Sequence, residues 1–373
     1  MQSVQFPTKD DSNFYQTLRS RVDGYFKENN ISKFGNGKMI SKSVFMLLLY
    51  FVPYGLIISG LFTSSWALLV ISLIMGTGLA GIGLSIMHDA NHGSYSKNRK
   101  SNKFIGYILN VVGGNSLNWR IQHNVLHHSF TNIEGHDEDI DPAGILRFSP
   151  HAKLRKIHKF QHFYAWIFYG LMSFTWIVNK DFTQLYRFKK KGLIEGFQTT
   201  FAKEFTILII TKVLYWGYMF VVPYLVLNQY HGIETTWWQV ALGIFGMHYV
   251  AGIILALVFQ PAHVMDECTY PLPTEKGEMK EIWAIHQLRT TCNFAKGNLP
   301  LSWYVGGLNF QIEHHLFPDV CHVHYRKISN IVKKTAKEFN LPYYQKKTFT
   351  GVQKMSGWVT TDMEIQDSRL KTH

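Results

Sequence analysis

The sequence predicts an all-α integral membrane protein: four transmembrane helices in two hairpins, and a cytoplasmic helical cap that carries a histidine-rich site for two metal ions. Three observations lead to this prediction. Four apolar stretches have the length of membrane spans, the polar segments outside the hairpin loops are rich in Lys and Arg, and histidines cluster where the second and fourth stretches end. The chain has 373 residues, of which 46% are hydrophobic, yet its mean hydropathy is −0.05. Apolar spans must therefore alternate with large polar regions.

The apolar stretches come in pairs, at 44–62 and 66–87 and again at 205–227 and 237–259. Each is close to the length that crosses a hydrocarbon core of about 30 Å. The alternative is four buried helices of a soluble protein, but such helices are usually shorter and striped with polar residues. We therefore expect four spans.

The distribution of basic residues predicts the orientation of the spans. The loops "FTSSW" and "NQYHGIETT" contain no Lys or Arg, and Lys212 is the one basic residue inside a span. By the positive-inside rule, both termini and the long middle segment face the cytoplasm. Two shorter apolar stretches, 104–114 and 163–178, are interpreted as helices at the cytoplasmic interface. We expect a cytoplasmic N-terminal segment (1–42), a main domain (43–328) and a cytoplasmic C-terminal segment (329–373).

Charge and cysteine content restrict the partners and the compartment. The net charge of +13 suggests an anionic partner, such as lipid headgroups, an acidic donor protein or an acidic substrate group. Nucleic acid is disfavoured, because no recognition module is visible and the basic residues flank apolar spans. The three cysteines have no Cys-x-x-Cys spacing, and the first forty or so residues resemble no cleavable signal. The cysteine pattern fits a reducing compartment.

Eight histidines form the candidate metal site. They occur in "HDANH" (the first box, 88–92), "HNVLHH" (the second box, 123–128), "QIEHH" (the third box, 311–315) and at one position just beyond the fourth span; the residues are His88, His92, His123, His127, His128, His314, His315 and His263. Helical spacing places the first two histidines of the second box on one face, with the third about 100° further round. All four clusters are predicted on the cytoplasmic side.

Each cluster alone is weak evidence, because a single His-x-x-x-His is usually a coincidence on a helix surface. Four clusters at one side of four spans are much more specific. Neutral imidazole suits iron, zinc and copper alike. Eight ring nitrogens exceed what one tetrahedral zinc needs, but fit two metals with coordination positions left open. The remaining histidines are interpreted as structural or surface residues: His136, His151, His158, His162, His231, His248, His286, His322 and His324.

His263 has two interpretations. It lies beyond the fourth span at the depth that His88 has beyond the second, and Pro261 should loosen the helix there. A metal ligand is favoured on this placement. The alternative is a histidine that interacts with the unsatisfied carbonyls at the helix end, worth at most about 2 kcal/mol.

The three boxes, their order and the paired spans around them resemble the membrane-bound fatty acid desaturases, over about residues 43–328. Gln311 opens the third box where many relatives have histidine, and in this it resembles the front-end desaturases, which add a double bond between an existing one and the carboxyl end. "HQLRTTCNF" and "FQPAH" are also similar to that branch.

The resemblance implies two irons held by the eight histidines, with O2 as co-substrate and a fatty acyl-CoA or acyl-lipid as substrate. It implies a cis double bond as the product. The chain contains no His-Pro-Gly-Gly haem motif, so we expect a separate electron donor, a ferredoxin or a b5-type cytochrome. Gln311, Asp89 and Glu313 are candidates for groups that orient the ligands, and the alternative for Gln311 is to hold a metal-bound water. An acidic run follows the second box and comprises Asp137, Glu138, Asp139 and Asp141. Its carboxylates are also candidates for orienting the ligands, although solvated loop charges explain the run equally well.

Three other functions share some of these features. A di-iron membrane hydroxylase has similar boxes and topology, and analysis of the product would separate it from a desaturase. A haem-binding electron carrier would keep its histidines inside the spans. A metal transporter would need polar residues near the membrane centre, where the spans offer almost none beyond Lys212.

Overall fold

The structure is a computed structural model that describes residues 4–142 and 144–347. The described chain is mostly helical, as predicted. Its α-helical segments are Phe14–Glu28, Gly37–Ile58, Ser65–Gly81, His88–His92, Arg99–Gly106, Ile108–Val111, Ser116–Trp119, His128–Phe130, Gln161–Thr175, Asp181–Lys190, Phe201–Trp216, Val222–Leu225, Trp237–His263, Trp283–Thr290, Leu299–Tyr304, Gln311–Leu316 and Tyr325–Glu338. Short 3₁₀ segments cover Glu138–Ile140, Lys156–Phe160, Glu195–Phe197 and His322–His324. Two strands, Asn293–Phe294 and Gln345–Lys346, pair in parallel.

Several helices contain π-helical turns, in which the backbone hydrogen bond reaches one residue further than in an α-helix. These segments are Ile82–Met87, Arg120–His127, Trp176–Lys180, Gly217–Val221 and Val226–Tyr230. The first directly precedes the first box, and the second contains most of the second box. Such turns change which side chains share a helix face, and they are common at functional sites.

Four helices are long and apolar enough to cross a membrane, as the sequence predicts. They run over Gly37–Ile58, Ser65–His92, Phe201–Tyr230 and Trp237–His263. The first begins seven residues before the predicted start at residue 44 and ends at Ile58, four residues before the predicted end at residue 62. The second and fourth continue past their predicted ends to His92 and His263. Each of these two helices therefore carries candidate ligands at its last turn.

The described chain divides into two compact units. Unit 1 contains the described parts of Met1–Asn36, Gln122–Ala165 and Leu257–His373, and unit 2 contains Gly37–Ile121 and Trp166–Ala256. Unit 2 thus holds the apolar helices except for the last turns of the fourth. Unit 1 holds the second and third boxes and His263.

Small residues bring the helices of unit 2 close together. A Cβ atom added at Gly78 would lie 2.6 Å from the backbone of Leu49, and one at Gly76 would lie 2.4 Å from the carbonyl oxygen of Met247. Close approach at small residues is typical of helix packing in membranes. On the outside, Val213 and Leu214 are 66% and 64% exposed. Such apolar side chains suit contact with lipid.

Two buried polar groups connect elements of unit 2. Lys212, inside the third apolar helix, places its Nζ 2.7 Å from a carboxylate oxygen of Asp181 and 2.6 Å from the carbonyl oxygen of Gly113. The imidazole of His248 lies between the hydroxyls of Ser173 and Tyr215, at 2.8 and 2.6 Å. Lys212 and His248 therefore each have polar partners inside the apolar helices. His248 has the structural role that we predict for it.

Unit 1 has its own hydrophobic core. The helix Phe14–Glu28 buries Phe14 and Leu18 in a cluster that also contains Leu316, Ile328 and Val332. Leu316 ends the helix of the third box, and the other two lie on the buried face of Tyr325–Glu338. This packing positions the third box, because its helix has only six residues and is too short to be stable alone.

Candidate metal centre

Unit 1 brings six of the eight predicted ligands together. One nitrogen each from His127, His263 and His315 lie within 4.8 Å of one another, and so do one nitrogen each from His128, His314 and His315. All five residues are buried. The two groups share only His315, so unit 1 offers two adjacent triads of imidazole nitrogens. His123, the sixth, lies against the second triad.

The imidazoles of His123, His128 and His314 have the spacing of atoms that share a metal. Nε2 of His128 lies 3.2 Å from Nε2 of His123 and 3.0 Å from Nε2 of His314. Nitrogens bound to one metal at about 2.1 Å lie about 3.0–3.4 Å apart. Three imidazoles that converge through the same ring atom suit a metal ion better than mutual hydrogen bonds, since each ring has only one proton to share when neutral.

The first triad contains ring nitrogens that nothing in the described chain satisfies. Nδ1 of His127 donates to the carboxylate of Asp137 at 3.1 Å, and Nδ1 of His263 donates to the carbonyl oxygen of Thr290 at 3.3 Å. These bonds direct Nδ1 of each ring to an acceptor and leave Nε2 as the ring atom that a metal would bind. Both Nε2 atoms are buried without a hydrogen-bond partner among the described residues. A metal would satisfy both, so the residues present fit a metal site.

The π-helical turn changes the predicted geometry of the second box. The α-helical prediction that His128 points about 100° away from its neighbours is wrong. In the π-turn, residues five apart are brought together, and the rings of His123 and His128 lie 4.7 Å apart between centroids. His123 and His127 stack at 5.3 Å. All three imidazoles of this box therefore lie close together.

Two members of the acidic run contact candidate ligands. Asp137 is fully buried against His127, and a carboxylate oxygen of Asp139 lies 3.5 Å from Nδ1 of His127 and 3.8 Å from Nδ1 of His123. Burial disfavours the charged imidazolium, but the two carboxylates outweigh burial and raise the pKa of His127 to about 9. These carboxylates therefore increase the basicity of the ring. Asp139 is also held by a hydrogen bond from Gln122.

His263 belongs to the first triad and not only to the end of its helix. Its ring lies 4.6 Å from that of His127 and 4.7 Å from that of His315. Pro261 is accommodated inside the helix, which continues to His263. The carbonyl that accepts from Nδ1 is that of Thr290, in another segment, and not one of the free carbonyls at the end of its own helix.

Gln287 is a residue that the sequence interpretation missed, and it contacts one of the candidate ligands. Its Oε1 accepts a hydrogen bond from Nδ1 of His315 at 2.8 Å, and its Nε2 donates to the carbonyl oxygen of His128 at 3.1 Å. The hydroxyl of Thr131 lies 2.9 Å from the same Oε1. The sequence feature that could have indicated this role is the glutamine within the "HQLRTTCNF" segment, which lies on the buried face of the helix Trp283–Thr290. One amide thus braces the second and third boxes.

Asn132 is a second residue that connects segments of the site and that we did not predict. It has a left-handed backbone, with φ 60°, which asparagine tolerates better than most residues. Its side chain donates to the carbonyl oxygen of His263 at 2.9 Å, and its N–H donates to Asp137 at 2.9 Å. It therefore joins the segment after the second box to the position of His263.

The first box lies in unit 2. His88 and His92 are one turn apart in the helix His88–His92, with ring centroids 4.7 Å apart. Both rings meet the indole of Trp119 edge-on, at 5.4 and 5.5 Å. Asp89 is buried, and its carboxylate lies 3.7 Å from Nδ1 of His88. The box is a pair of imidazoles held on one helix face, as predicted.

The polar residues of the third box have different environments. Gln311 is buried, and its Nε2 has no hydrogen-bond partner within the described ranges. The carboxylate of Glu313 accepts hydrogen bonds from the hydroxyl of Tyr343 at 2.7 Å and from Asn293 at 2.9 Å. The prediction that Glu313 bonds an imidazole is therefore not what the structure shows. The carboxylate ties the third box to the strand region of unit 1.

His286, which is adjacent to Gln287, has a structural role. Its Nε2 donates to the carbonyl oxygen of Thr131 at 2.8 Å, and its ring meets Phe6 edge-on at 5.0 Å. Burial lowers the pKa of His286 to about 4. The ring is therefore neutral near pH 7 and supports the helix that carries Gln287.

Comparison with known proteins gives consistent matches over most of the chain. Residues 64–347 match the model of the fatty acid desaturase family. The chain is 40% identical to the acyl-lipid (8-3)-desaturase of Physcomitrium patens, over 93% of this chain and 71% of that protein. It is 34% identical to the sn-1 linoleoyl-lipid 6-desaturase of Synechocystis sp., over 90% of this chain and 91% of the relative. It is 31% identical to the acyl-lipid (8-3)-desaturase of Mortierella alpina, over 90% and 74% respectively.

Proposed function

The chain belongs to the fatty acid desaturase family, and from this premise we propose that it inserts a cis double bond into a fatty acyl chain carried by a membrane lipid, with two irons held by its histidines. The observation that carries the proposal is the pair of imidazole triads in unit 1, one of which has two buried Nε2 atoms that no described residue satisfies. Membership of the family makes the protein an oxidoreductase that desaturates fatty acids.

We propose that all eight predicted histidines are iron ligands. Six of them support this by their proximity within unit 1. His88 and His92 support it by their spacing on one helix face and by the shared packing of their rings on Trp119. The buried amide of Gln311 is proposed to hold a metal-bound water, since its Nε2 is a donor that no described residue satisfies.

Bound iron would supply the oxidising power needed to break an unactivated C–H bond, which no side-chain acid or base can provide. The chain's own residues orient the histidines and keep water out of the site. Asp137, Gln287 and Thr290 each hold a histidine through its Nδ1, which orients the ring so that Nε2 would bind the metal. The burial of these groups excludes water, so that the oxidising power of the centre would be directed at the acyl chain.

The overall reaction needs an external source of electrons. Reduction of O2 to two molecules of water takes four electrons, of which the two broken C–H bonds of the substrate supply two. The other two, with two protons from solvent, must come from a donor. We propose a one-electron carrier, a ferredoxin or b5-type cytochrome, that delivers them one at a time.

The substrate proposal rests on the relatives named above, which are lipid-linked acyl desaturases by name. Gln311 at the start of the third box supports a front-end position for the new double bond. We further propose that the four apolar helices form two membrane hairpins of a main domain at 43–328, with the metal centre and both termini in the cytoplasm. The lack of Lys and Arg in the hairpin loops supports this orientation.

Analysis of the products tests the proposal. The protein is expressed in a host that lacks polyunsaturated fatty acids, and defined fatty acids are fed to the cells. Gas chromatography with mass spectrometry should show a new olefin. The olefin should appear in the lipid fraction earlier than in the acyl-CoA pool. A new hydroxyl group would instead support a hydroxylase, and the first appearance of product in acyl-CoA would reject the lipid-linked substrate.

A further inference from the structure

The helix Tyr325–Glu338, which we call the C-terminal helix, joins the candidate metal centre to a basic surface of unit 1. It is the last helix of the described chain. The hydroxyl of its first residue, Tyr325, lies 3.1 Å from Nδ1 of His314. Tyr325 itself is only 1% exposed, so its ring fills the space between the third box and the start of the helix.

The outer face of this helix is strongly cationic. At about 100° per residue, its five exposed basic residues fall within an arc of about 120°; they are Arg326, Lys327, Lys333, Lys334 and Lys337. None of the five forms an ion pair with another residue in the described ranges. The helix has one acidic residue, Glu338, and Arg21 pairs with it at 2.7 Å. The face therefore presents cationic charge to solvent.

The opposite face of the helix is already occupied. Ile328, Val332 and Ala336 are fully buried in the hydrophobic core of unit 1, where Phe14 and Leu18 pack with them. A basic helix that lies on a membrane inserts its apolar face among the lipids. The apolar face of this helix is not available for that, and only its charged side can meet a partner.

From these observations, and resting on the function proposed above, we propose that the basic face of the C-terminal helix is the docking surface for an acidic one-electron carrier protein. Electrons would enter through Tyr325 and His314. The exposed Arg326 is the next residue after Tyr325, so the path from the surface to a ligand is one peptide link and one hydrogen-bond contact. Two successive dockings would deliver the two electrons that each turnover needs beyond those of the substrate.

Charge complementarity explains why such a carrier should be acidic. A cluster of like charges steers an oppositely charged protein and raises its association rate, and the effect falls as salt is added. Only brief docking is required, because the carrier must leave after giving up one electron. A surface of flexible lysines, with little apolar area, suits such a transient contact.

The test uses the iron-loaded protein in nanodiscs of uncharged lipid and, as probes, a plant-type [2Fe–2S] ferredoxin and a soluble b5-type cytochrome. The variant carries Lys333→Glu, Lys334→Glu and Lys337→Glu. The matched control carries Lys153→Glu, Lys156→Glu and Lys159→Glu, which makes the same change in net charge at exposed positions elsewhere in unit 1. Binding is measured by surface plasmon resonance at several salt concentrations, without substrate.

The expected result is that one probe binds the unmodified protein and the control alike, while the variant binds it about tenfold more weakly at low salt and with a smaller salt dependence. Iron content and product formation with a chemical reductant should be unchanged in the variant. Equal binding of both probes to variant and control would overturn the proposal, and so would failure of both probes to bind the unmodified protein. It would also be overturned if the variant lost only its binding to anionic vesicles, which would assign the face to lipid. A failure of the proposed function would appear separately, as absence of olefin even with the chemical reductant.

Discussion

Gln287 and His315 are joined by a hydrogen bond of 2.8 Å between the amide oxygen and Nδ1 of the ring. His315 is the one residue that belongs to both imidazole triads of unit 1. The orientation of its ring therefore affects both proposed metal positions. The amide of Gln287, which lies outside the three boxes, holds the ring in that orientation.

Replacing Gln287 by leucine should lower iron affinity by about 10–100-fold, the usual cost of losing a group that orients a ligand. Gln287→Glu keeps an acceptor for Nδ1 and should retain more iron than the leucine variant. Iron titration of both purified variants measures the difference. Wild-type iron affinity in Gln287→Leu would show that the hydrogen bond does not orient a ligand.

The purified protein should contain about two irons per chain, because two triads share one histidine and eight imidazoles exceed the needs of one metal. His315→Ala should lose most of both irons, since His315 belongs to both triads. Metal analysis by plasma mass spectrometry provides the count. One zinc without iron in the unmodified protein would contradict the prediction.

Alanine at any histidine of the three boxes should abolish olefin formation while the protein stays in the membrane, because the apolar helices and not the metal carry insertion. The positions are His88, His92, His123, His127, His128, His314 and His315. His136→Ala, outside the boxes, is the control and should keep its activity. Product analysis and membrane fractionation are run together. Near-normal activity in two or more of the box variants would reject the ligand assignment.

His263→Ala should lower bound iron and remove turnover without reducing the amount of membrane-inserted protein, because the structure places this ring in the first triad. The matched control is His231→Ala, which removes another histidine at a helix end, with its Nε2 3.1 Å from the carbonyl oxygen of Ile58. Iron per molecule and turnover per molecule are measured for both. A variant with less protein but full turnover per molecule would support the helix-end role for His263 instead.

Breaking the buried pair of Lys212 and Asp181 should destabilise unit 2. Lys212→Met leaves the Asp181 carboxylate buried without its cation, at a cost of about 3–5 kcal/mol in the free energy of unfolding. Adding Asp181→Asn removes that charge and keeps an oxygen for Asn118 and Trp176, which both donate to Asp181. The double variant should therefore be the more stable of the two. Thermal unfolding in detergent compares them, and equal stability would show that the charge is not the cause.

The sequence by itself determined the number of apolar helices and the identity of the eight candidate ligands. Both are local properties. A bilayer demands about twenty consecutive apolar residues for each span, and a helix places residues four apart on one face. His88 and His92 could therefore be paired from the printed sequence alone.

Only the tertiary structure decided what surrounds these ligands. Gln287 is 28 residues from His315 along the chain and Thr290 is 27 from His263, and no periodicity connects such positions. The π-turn in the second box was also invisible to helical spacing, although it decides where His128 points. Glu313 shows the same limit, since the sequence made it a candidate for orienting an imidazole, while packing turned its carboxylate toward Tyr343 and Asn293. Spans and ligand pairs follow from short-range geometry, whereas the groups that orient the ligands depend on which distant segments the core brings together.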